Sequence, residues 1–358
     1  MPSPPPASLL RLLDALLNRS AEGLRVVEDY ARFVLDDGHL TKLTKNLRHS
    51  VGETSQELAI ADLRLACRDT QQDVGAVIST PTEHRRDHAW GVCQASLHRV
   101  HEALRSLEEY SKTLNPQVGA RFEKLRYQSY TLAKALDTTR RNRERLADAR
   151  LCVLIAGGPD QQRFERLASE LLAAGADLLQ LRDKQLNDQE LIARAEALAT
   201  IARDQGKLAI INDRADIAVA SRASGVHLGQ DDLSIHQARS LLGPEALIGR
   251  STHSIEQARQ AVLDGADYAG LGPTFPSQTK QFDEFPGTDY LQAYADEITL
   301  PAFAIGGVQP ENLPQVLEAG ASRIAVSSAV THAKDPAGEV RKLKEQLAAG
   351  AAPTPVGG

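Results

Sequence analysis

The stretch DLLQLRDKQLNDQELIARAEALATIARDQGKLAIIND, residues 177–213, decides the fold of the second half of this chain. It opens with a short apolar run, continues through a segment with apolar residues at helical spacing, and closes with a second apolar run. A strand, a helix and a strand in this order form a unit with parallel strands. Polar residues follow directly, with Arg182 and Lys184 after the first run and Asp213 after the second.

The same alternation fills the chain from residue 151 onward. The eight apolar runs are LCVLIAG, DLLQLRD, KLAIIND, GVHLGQ, ALIGRST, DYAGLGP, PAFAIGG and RIAVSS, and amphipathic segments separate them. Eight such units in about 195 residues predict a (β/α)8 TIM barrel, a fold of the α/β class. A doubly wound sheet is the alternative, but it would rarely need eight units, and no G-x-G-x-x-G follows the first run.

Residues 9–140 show helical periodicity almost throughout, and the segment repeats itself at an offset of 80 residues. The identical pairs are Leu17/Leu97, Arg19/Arg99, Glu22/Glu102, Leu24/Leu104, Arg25/Arg105, Glu28/Glu108 and Tyr30/Tyr110. Each copy is followed by a second helix with a Leu-Arg pair, Leu47-Arg48 or Leu125-Arg126. This internal repeat, 17–48 and 97–126, predicts a duplicated helical hairpin in an all-α bundle of four or more helices.

Two interpretations of the repeat's charged residues stay open. Arg19, Glu22, Arg25 and Glu28 are three residues apart, which is the spacing of ion pairs along a solvated helix face. Alternatively, Arg25 and Arg105 face one anionic ligand near the internal two-fold.

The sequence therefore predicts four parts. Residues 1–140 form the all-helical domain, 141–150 a charged linker, 151–348 the TIM barrel and 349–358 a disordered tail. Between the two helical copies, residues 66–87 are expected to form an ordered loop.

Composition excludes several classes of function. The net charge of −6 provides no basic field that would favour nucleic-acid binding, and no apolar run is long enough to span a membrane. The N-terminus has no secretory signal pattern. None of the three cysteines belongs to a C-x-x-C pair. We therefore expect a cytoplasmic protein whose partners are small molecules. A homo-oligomer is also possible.

Polar residues cluster where the predicted strands end. In a TIM barrel these carboxyl ends share one rim and carry the chemistry. Three cations and two carboxylates are expected at this rim, beside glycines and hydroxyls: Arg182, Lys184, Lys280, Asp213 and Asp232. This combination indicates a phosphate site with a bridging Mg²⁺. Gly306, Gly307, Val326 and Ser327 follow the last two strands, where barrels often bind phosphate through loop amides.

Each of these residues also has a structural interpretation. Asp213 and Asp232 are good helix N-caps, AIGGV is compatible with tight packing alone, and Lys280 is compatible with an exposed loop. His253 fits a hydrogen-bonded structural residue better than a catalytic base.

The motifs QLRDK, INDR, GVHLGQDD, GRSTH, GLGPTFPSQTK, AIGGV and AVSS occur in this order at consecutive strand ends. Together they resemble the thiamine-phosphate synthase family, also called thiamine-phosphate pyrophosphorylase or diphosphorylase, over about residues 151–346. The resemblance implies a transferase of thiamine biosynthesis. It joins 4-amino-2-methyl-5-(diphosphomethyl)pyrimidine to 4-methyl-5-(2-phosphooxyethyl)thiazole, and it releases pyrophosphate with thiamine phosphate.

The resemblance also implies residue roles. The pyrimidine diphosphate is held by Gln180, Arg182, Lys184, Asn212 and Lys280, with Ser251 on the pyrimidine side. Mg²⁺ is bound by Asp213 and Asp232. The thiazole phosphate is held by Ser277, Thr279, Gly307, Val326 and Ser327. Lys280, Arg182 and Ser251 are the implied catalytic residues of a Mg²⁺-assisted dissociative substitution.

The segment NRSAEGLRVVEDYARF, residues 18–33, resembles the N-terminal domain fused to such synthases in cyanobacteria. That resemblance implies a kinase for the pyrimidine monophosphate, although residues 1–140 contain no G-x-x-x-x-G-K-[ST] motif. A docking or dimerisation module is the alternative. For the barrel, the alternatives are a thiazole tautomerase, another phosphate-binding barrel enzyme such as a sugar-phosphate isomerase, or a non-catalytic scaffold.

Overall fold

The computed structural model describes residues 5–58, 60–68, 86–276 and 286–350. Most of the loop expected at 66–87, most of the predicted tail, and Ser277, Thr279 and Lys280 lie outside the described residues. The chain divides into two compact units between Asp137 and Thr138.

The helices of the N-terminal unit are α1 Ala7–Phe33, α2 Gly38–Gln56, α3 Ala61–Ala66, α4 Ala89–Ser111 and α5 Pro116–Arg145, the last of which continues past the division. The predicted all-helical architecture of this region is confirmed. In the second unit the strands are β1 Leu151–Ile155, β2 Leu178–Leu181, β3 Leu208–Asn212, β4 Gly225–Leu228, β5 Leu247–Thr252, β6 Tyr268–Leu271, β7 Ala302–Ile305 and β8 Ile324–Val326. The helices around them are α6 Gln161–Ala173, α7 Asp188–Asp204, α8 Ala215–Ala220, α9 Ile235–Leu242, α10 Ile255–Asp264, α11 Gly287–Glu297, α12 Leu313–Glu318, α13 Ser328–Thr331 and α14 Pro336–Ala349.

Helix α1 is the centre of the N-terminal unit and packs against both α2 and α4. Its leucines recur at helical spacing and face inward. The approach to α4 is close at Gly23, where an added Cβ would lie 2.7 Å from Cγ2 of Val100. A side chain at position 23 would therefore push the two helices apart.

The duplication builds the same buried ion pair twice. Glu28 accepts from Nε of Arg48 at 3.0 Å, and Glu108 accepts from Nε of Arg126 at 2.8 Å. Arg25 and Arg105 each bind the glutamate three residues further along the same helix. Because Glu28 and Glu108 are only 5% and 2% exposed, these pairs join two helices rather than lie along a solvated face.

The second unit is a closed barrel of eight parallel strands in sequential order. Each of the eight apolar runs contains one strand, so the predicted TIM barrel is confirmed. The ladders pair Gln180 with Ile210 and Asn212 with His227, which sets the ends of β2, β3 and β4 at one rim. Throughout the described ranges, no helix combines the length and apolarity needed to cross a bilayer.

The opposite rim is closed by the end of α5 and the residues after it. Residues 141–145, placed in the predicted linker, are the last turn of this helix. Leu146 is fully buried and packs in the barrel core with Leu178, Leu247 and Phe303. The segment preceding the first strand is thus part of the barrel's own core.

Asp267, just before β6, is one of the polar anchors at this closed rim. Its carboxylate accepts from Nδ2 of Asn142 at 2.8 Å and from the backbone N–H of Ile248 at 2.7 Å, and it is also paired with Arg239. The side chain is nearly inaccessible to water. Its partners would lose their acceptor together if this carboxylate were removed.

We expect Asp267→Ala to lower the free energy of unfolding by about 1–3 kcal/mol, because it leaves the buried N–H of Ile248 without its acceptor and removes one partner each from Asn142 and Arg239. Urea unfolding followed by circular dichroism measures the change. Glu318→Gln, at an exposed carboxylate on α12, is the control and should shift the midpoint little. Equal midpoints for the two variants would contradict this role of Asp267.

Candidate active site

Two carboxylates from neighbouring strand ends meet at the open rim. Asp213 follows β3 with a left-handed backbone (φ 62°), and its N–H donates to the carbonyl of His227 at 2.8 Å. Its carboxyl is hydrogen-bonded to that of Asp232, after β4. Burial, this hydrogen bond and the charge of Asp232 raise the pKa of Asp213 to about 6, while Lys184 and Arg182 oppose the rise.

The loop that carries Asp232 is held by backbone contacts and by an arginine. Oδ2 of Asp232 accepts from the N–H of Gly229 at 2.6 Å. Arg250 on β5 donates to the carbonyls of Leu233 and Gln230, each at 3.2 Å. Sequence reasoning missed Arg250, although it is part of the GRSTH motif. Its role depends on a contact between loops that residue type alone does not reveal.

Neither carboxylate caps a helix, which was the structural alternative for both. Helix α8 has Arg214 at its N-cap, with no side-chain hydrogen bond. Helix α9 is capped by Ser234 in a capping box with Gln237. The carboxyls of Asp213 and Asp232 are therefore available at the rim.

This pair fits a magnesium ion. Two carboxyls at hydrogen-bonding distance repel each other when both are ionised, so they require a shared proton or a cation between them. Mg²⁺ is commonly bound by one or two carboxylates, with substrate phosphates and water completing its coordination. Within the described ranges, no group of three or more His, Cys, Asp or Glu side chains is suited to a metal.

Two of the cations expected to bind phosphate, Arg182 and Lys184, lie near this pair, and so do the amides of Gln180 and Asn212. The side chain of Gln180 is buried, and its Nε2 donates to Oδ1 of Asn212 at 2.7 Å. The charges of Arg182 and Lys184 both act on Asp213. Between them, Asp183 accepts the backbone N–H groups of Gly157, Gln185 and Leu186 and so shapes the loop. Burial alone would raise the pKa of Asp183, but these N–H donors lower it below its ordinary value.

Ser251 ends a chain of polar groups inside the barrel. Its Oγ lies 2.9 Å from Nε2 of His227, and Nδ1 of His227 lies 3.2 Å from the hydroxyl of Tyr268. Gly249 makes room for both rings, because a Cβ there would lie 2.2 Å from Cζ of Tyr268 and 2.5 Å from Nδ1 of His227. Burial lowers the pKa of His227 to about 4, so its imidazole is neutral at physiological pH.

The loops after β7 and β8 form a glycine-lined cradle. Gly306 and Gly307 have positive φ angles of 95° and 66°, and a Cβ on Gly307 would lie 2.7 Å from the carbonyl oxygen of Pro276. Oγ of Ser327 donates to the carbonyl of Leu154 at 3.2 Å, directly after buried Val326. The cradle therefore requires glycine at 307 and presents backbone groups at its surface.

The start of the GLGPTFPSQTK segment is attached to this cradle. The N–H of Thr274 donates to the carbonyl of Ile305, and that of Phe275 to the carbonyl of Gly306, both at 2.9 Å. Nδ1 of His253 is within hydrogen-bonding distance of the carbonyl of Gly272, which agrees with its structural interpretation. Of the predicted site residues, only Ser277, Thr279 and Lys280 fall outside the described residues.

Many barrel enzymes bind phosphorylated small molecules at the loops after strands seven and eight, and this (β/α)8 barrel, with Gly306 and Gly307 in the first of these loops, has the architecture of that class. Residues 151–330 match the family described as Thiamine monophosphate synthase, and residues 11–135 match the ThiD2 family. The chain belongs to the thiamine-phosphate synthase family, and it is a transferase, a thiamine-phosphate diphosphorylase. The resemblance found in the sequence is thereby confirmed.

Relatives match across both units. The thiamine-phosphate synthase of Rhodopirellula baltica is 44% identical over 90% of this chain and 88% of its own length. That of Synechocystis is 40% identical over 96% of this chain and 97% of its own length. The solved thiamine phosphate pyrophosphorylase from Pyrococcus furiosus is 30% identical, with a TM-score of 0.51, over 57% of this chain and 98% of that chain.

The carboxyl pair makes stability depend on pH in metal-free buffer. Because Asp213 binds its proton more tightly in the folded barrel than at its ordinary pKa of 3.8, its contribution to the free energy of unfolding falls as the pH rises from about 4 to about 6. We expect Asp232→Asn to lower the pKa of Asp213 and reduce this fall. Carboxyl ¹³C NMR and urea unfolding across this range measure both effects.

Asp231→Asn is the matched control, since it removes an exposed carboxylate from the same loop. It should leave the pKa of Asp213 close to 6. If Asp232→Asn left that pKa unchanged, the two carboxyls would not be coupled as described.

Proposed function

We propose that the open rim couples 4-amino-2-methyl-5-(diphosphomethyl)pyrimidine to 4-methyl-5-(2-phosphooxyethyl)thiazole, with release of pyrophosphate. The observation that carries this proposal is the coupled pair Asp213–Asp232, which faces the charges of Arg182 and Lys184. Two adjacent carboxyls that can hold a cation beside Arg182 and Lys184 suit diphosphate chemistry better than the proton transfer of a tautomerase or an isomerase. The arrangement suits an enzyme that removes a highly charged leaving group.

The diphosphate binds among the residues around this pair. Arg182, Lys184 and Lys280 neutralise its oxygens, and the amide groups of Gln180 and Asn212 donate to them. Asp213 and Asp232 hold Mg²⁺, which as a Lewis acid supplies charge stabilisation to the leaving oxygens. The hydrogen bond between Gln180 and Asn212 fixes both amides before the substrate arrives.

The reaction is a dissociative substitution at the exocyclic methylene of the pyrimidine. Its bond to the diphosphate oxygen breaks, and both electrons leave with the diphosphate. The electron-rich aminopyrimidine stabilises the resulting cation, which the thiazole nitrogen attacks to form the new C–N bond. Arg182 and Lys280 stabilise the departing charge, so no protein nucleophile is needed.

Ser251 contacts the pyrimidine side. The series of hydrogen bonds from Tyr268 through His227 to Ser251 supports one direction of proton donation. The buried hydroxyl of Tyr268 needs an acceptor, and Nδ1 of neutral His227 provides one. Nε2–H of His227 then donates to Ser251, which leaves the Ser251 proton for an acceptor on the substrate. A ring nitrogen of the pyrimidine is such an acceptor.

The thiazole phosphate binds in the cradle, through Gly307, Val326, Ser327 and the hydroxyls of Ser277 and Thr279. The positive φ of Gly307 and the backbone groups after β8 support this assignment. Fixing the phosphate there positions the thiazole nitrogen for attack. A homo-oligomeric state and a cytoplasmic location remain predictions.

For the N-terminal unit we propose phosphorylation of the pyrimidine monophosphate, which would supply the barrel with its diphosphate substrate. The match of residues 11–135 to the ThiD2 family favours this role over a docking module. Incubating the full chain with ATP, the pyrimidine monophosphate and the thiazole phosphate tests it. Thiamine phosphate should form, and its absence, in protein that is active with the diphosphate, would remove the kinase role.

We expect Asp213→Asn and Asp232→Asn each to reduce thiamine phosphate formation at least 100-fold and to raise the Mg²⁺ concentration for half-maximal rate, because each removes a ligand and a charge. A steady-state assay with the diphosphate, at varied Mg²⁺, measures both parameters. The exposed neighbour variant Asp231→Asn should be nearly as active as the unmodified protein. Near-normal activity in both site variants would refute the proposed metal site.

Lys280→Ala should lower kcat by about 100-fold or more, because it removes a fixed positive charge from the leaving diphosphate. The same assay, with a thermal melt to verify folding, measures the effect. Lys342→Ala on α14 is the control, because Lys342 lies outside the rim and forms a long ion pair with Glu311 (3.6 Å). Comparable kcat values for the two variants would exclude Lys280 from the reaction.

A further inference from the structure

A groove of about 570 Å³ lies on the first helical copy of the N-terminal unit, between α1, α2 and α3. It is within the size range of small-molecule sites. Two arginines, Arg48 and Arg64, and one acidic residue, Glu53, line it, together with His49 and the neutral polar side chains of Asn18, Ser55 and Gln56. Arg48 and Arg64 are paired with Glu28 and Asp14, so what the groove offers an anionic ligand is guanidinium N–H donors rather than an excess of positive charge.

The internal duplication provides a matched surface for comparison. Residues of α1 correspond to residues of α4 at an offset of 80, and the Leu-Arg pairs of α2 and α5 correspond at an offset of 78. The buried pairs Glu28–Arg48 and Glu108–Arg126 occupy equivalent places, which fixes the alignment in three dimensions as well as in sequence. The groove positions therefore have counterparts in the second copy.

Those counterparts are large where the groove residues are small. Ala21 corresponds to His101 and Gly52 to Tyr130. The rings of His101 and Tyr130 stack edge to face with centroids 4.5 Å apart. At Gly52, by contrast, an added Cβ would find no atom within 4 Å. The two rings of the second copy thus occupy the positions that the first copy leaves open.

The second copy also indicates which chemistry suits the open position. The hydroxyl oxygen of Tyr130 lies 3.4 Å from Nη1 of Arg126, and the guanidinium lies over the Tyr130 ring, 5.6 Å from its centroid. Arg48 is the equivalent of Arg126. Glu28 engages its Nε and Nη2, and these contacts leave Nη1 available for a ligand.

We propose that the groove binds a ligand consisting of a single aromatic ring with an anionic oxygen group, such as a phosphate monoester. Its ring takes the place that Tyr130 takes in the second copy, and its oxygen faces Arg48. Arg64, held by Asp14 at 3.1 Å, and His49 lie beside the same space and add donors. The ligand class is that of the pyrimidine monophosphate, so the choice of ligand rests on the proposed function of this unit, while the place of the groove is argued from the contacts of its helices and does not require the barrel site.

Phenyl phosphate is a suitable probe, because it combines one aromatic ring with a phosphate. It would be titrated into the full chain while the Cε1 proton signal of His49, assigned with His49→Gln, is followed by NMR. Since His49 lines the groove, its signal reports this site and not the phosphate sites of the barrel. We expect a saturable shift, with at least tenfold weaker binding of inorganic phosphate, which lacks the ring.

Two variants transfer the second copy's side chains into the groove. Gly52→Tyr, alone or with Ala21→His, should weaken phenyl phosphate binding at least tenfold. Gly52→Ala is the matched control, because it adds only the Cβ that the space accommodates, and it should bind within twofold of the unmodified chain. A thermal melt and the rate of thiamine phosphate formation from the diphosphate verify that each variant is folded.

Three results would overturn the proposal: no shift of the His49 signal, equal affinity for inorganic phosphate, or unchanged binding in folded Gly52→Tyr. Each leaves the barrel assay unaffected. Failure here is therefore distinguishable from failure of the proposed barrel chemistry, which the Asp213 and Asp232 variants test.

Discussion

Closure of eight parallel strands into one ring is the constraint on which the site depends. Parallel hydrogen bonding points every strand the same way, so residues that are far apart in sequence reach the same rim. Pairing of Asn212 with His227 brings the ends of β3 and β4 side by side, which sets Asp213 next to Asp232. The raised pKa of Asp213 then follows from burial and from its closeness to Asp232, and a shared proton or a cation would relieve the repulsion between the two carboxylates.

The fold could be predicted from the sequence because its signals are local. Each strand is a short apolar run bounded by polar residues, and the eightfold count is sufficient to select a barrel. The rim residues could be predicted for the same reason, since a residue that follows a strand must lie at its carboxyl end. The ends of β2, β3 and β4 illustrate this, because Arg182 and Asp232 both act on the carboxyl of Asp213.

Contacts that depend on tertiary structure could not be predicted in this way. Arg250 fastens the loop of Asp232 through two carbonyls, and carbonyls carry no sequence signal. His227 and Tyr268 meet inside the barrel only because Gly249 leaves space, a relation between three strands. In the helical unit, the three-residue spacing of charges suggested a solvated face. Glu28 and Glu108 are instead buried, and each is paired with an arginine of the second helix of its copy.

The closed rim has a consequence for how this gene can be divided. Leu146 fills the barrel core and Asn142 binds Asp267, yet both precede the first strand: Asn142 lies in the last turn of α5, and Leu146 follows directly after it. A barrel that starts at Leu151 would lack Leu146 and Asn142. Apolar side chains of its core would then face water, and the carboxylate of Asp267 would lose one hydrogen-bond donor. A division of the chain that keeps the barrel's core intact must therefore leave the final turn of that helix, and the residues after it, with the barrel.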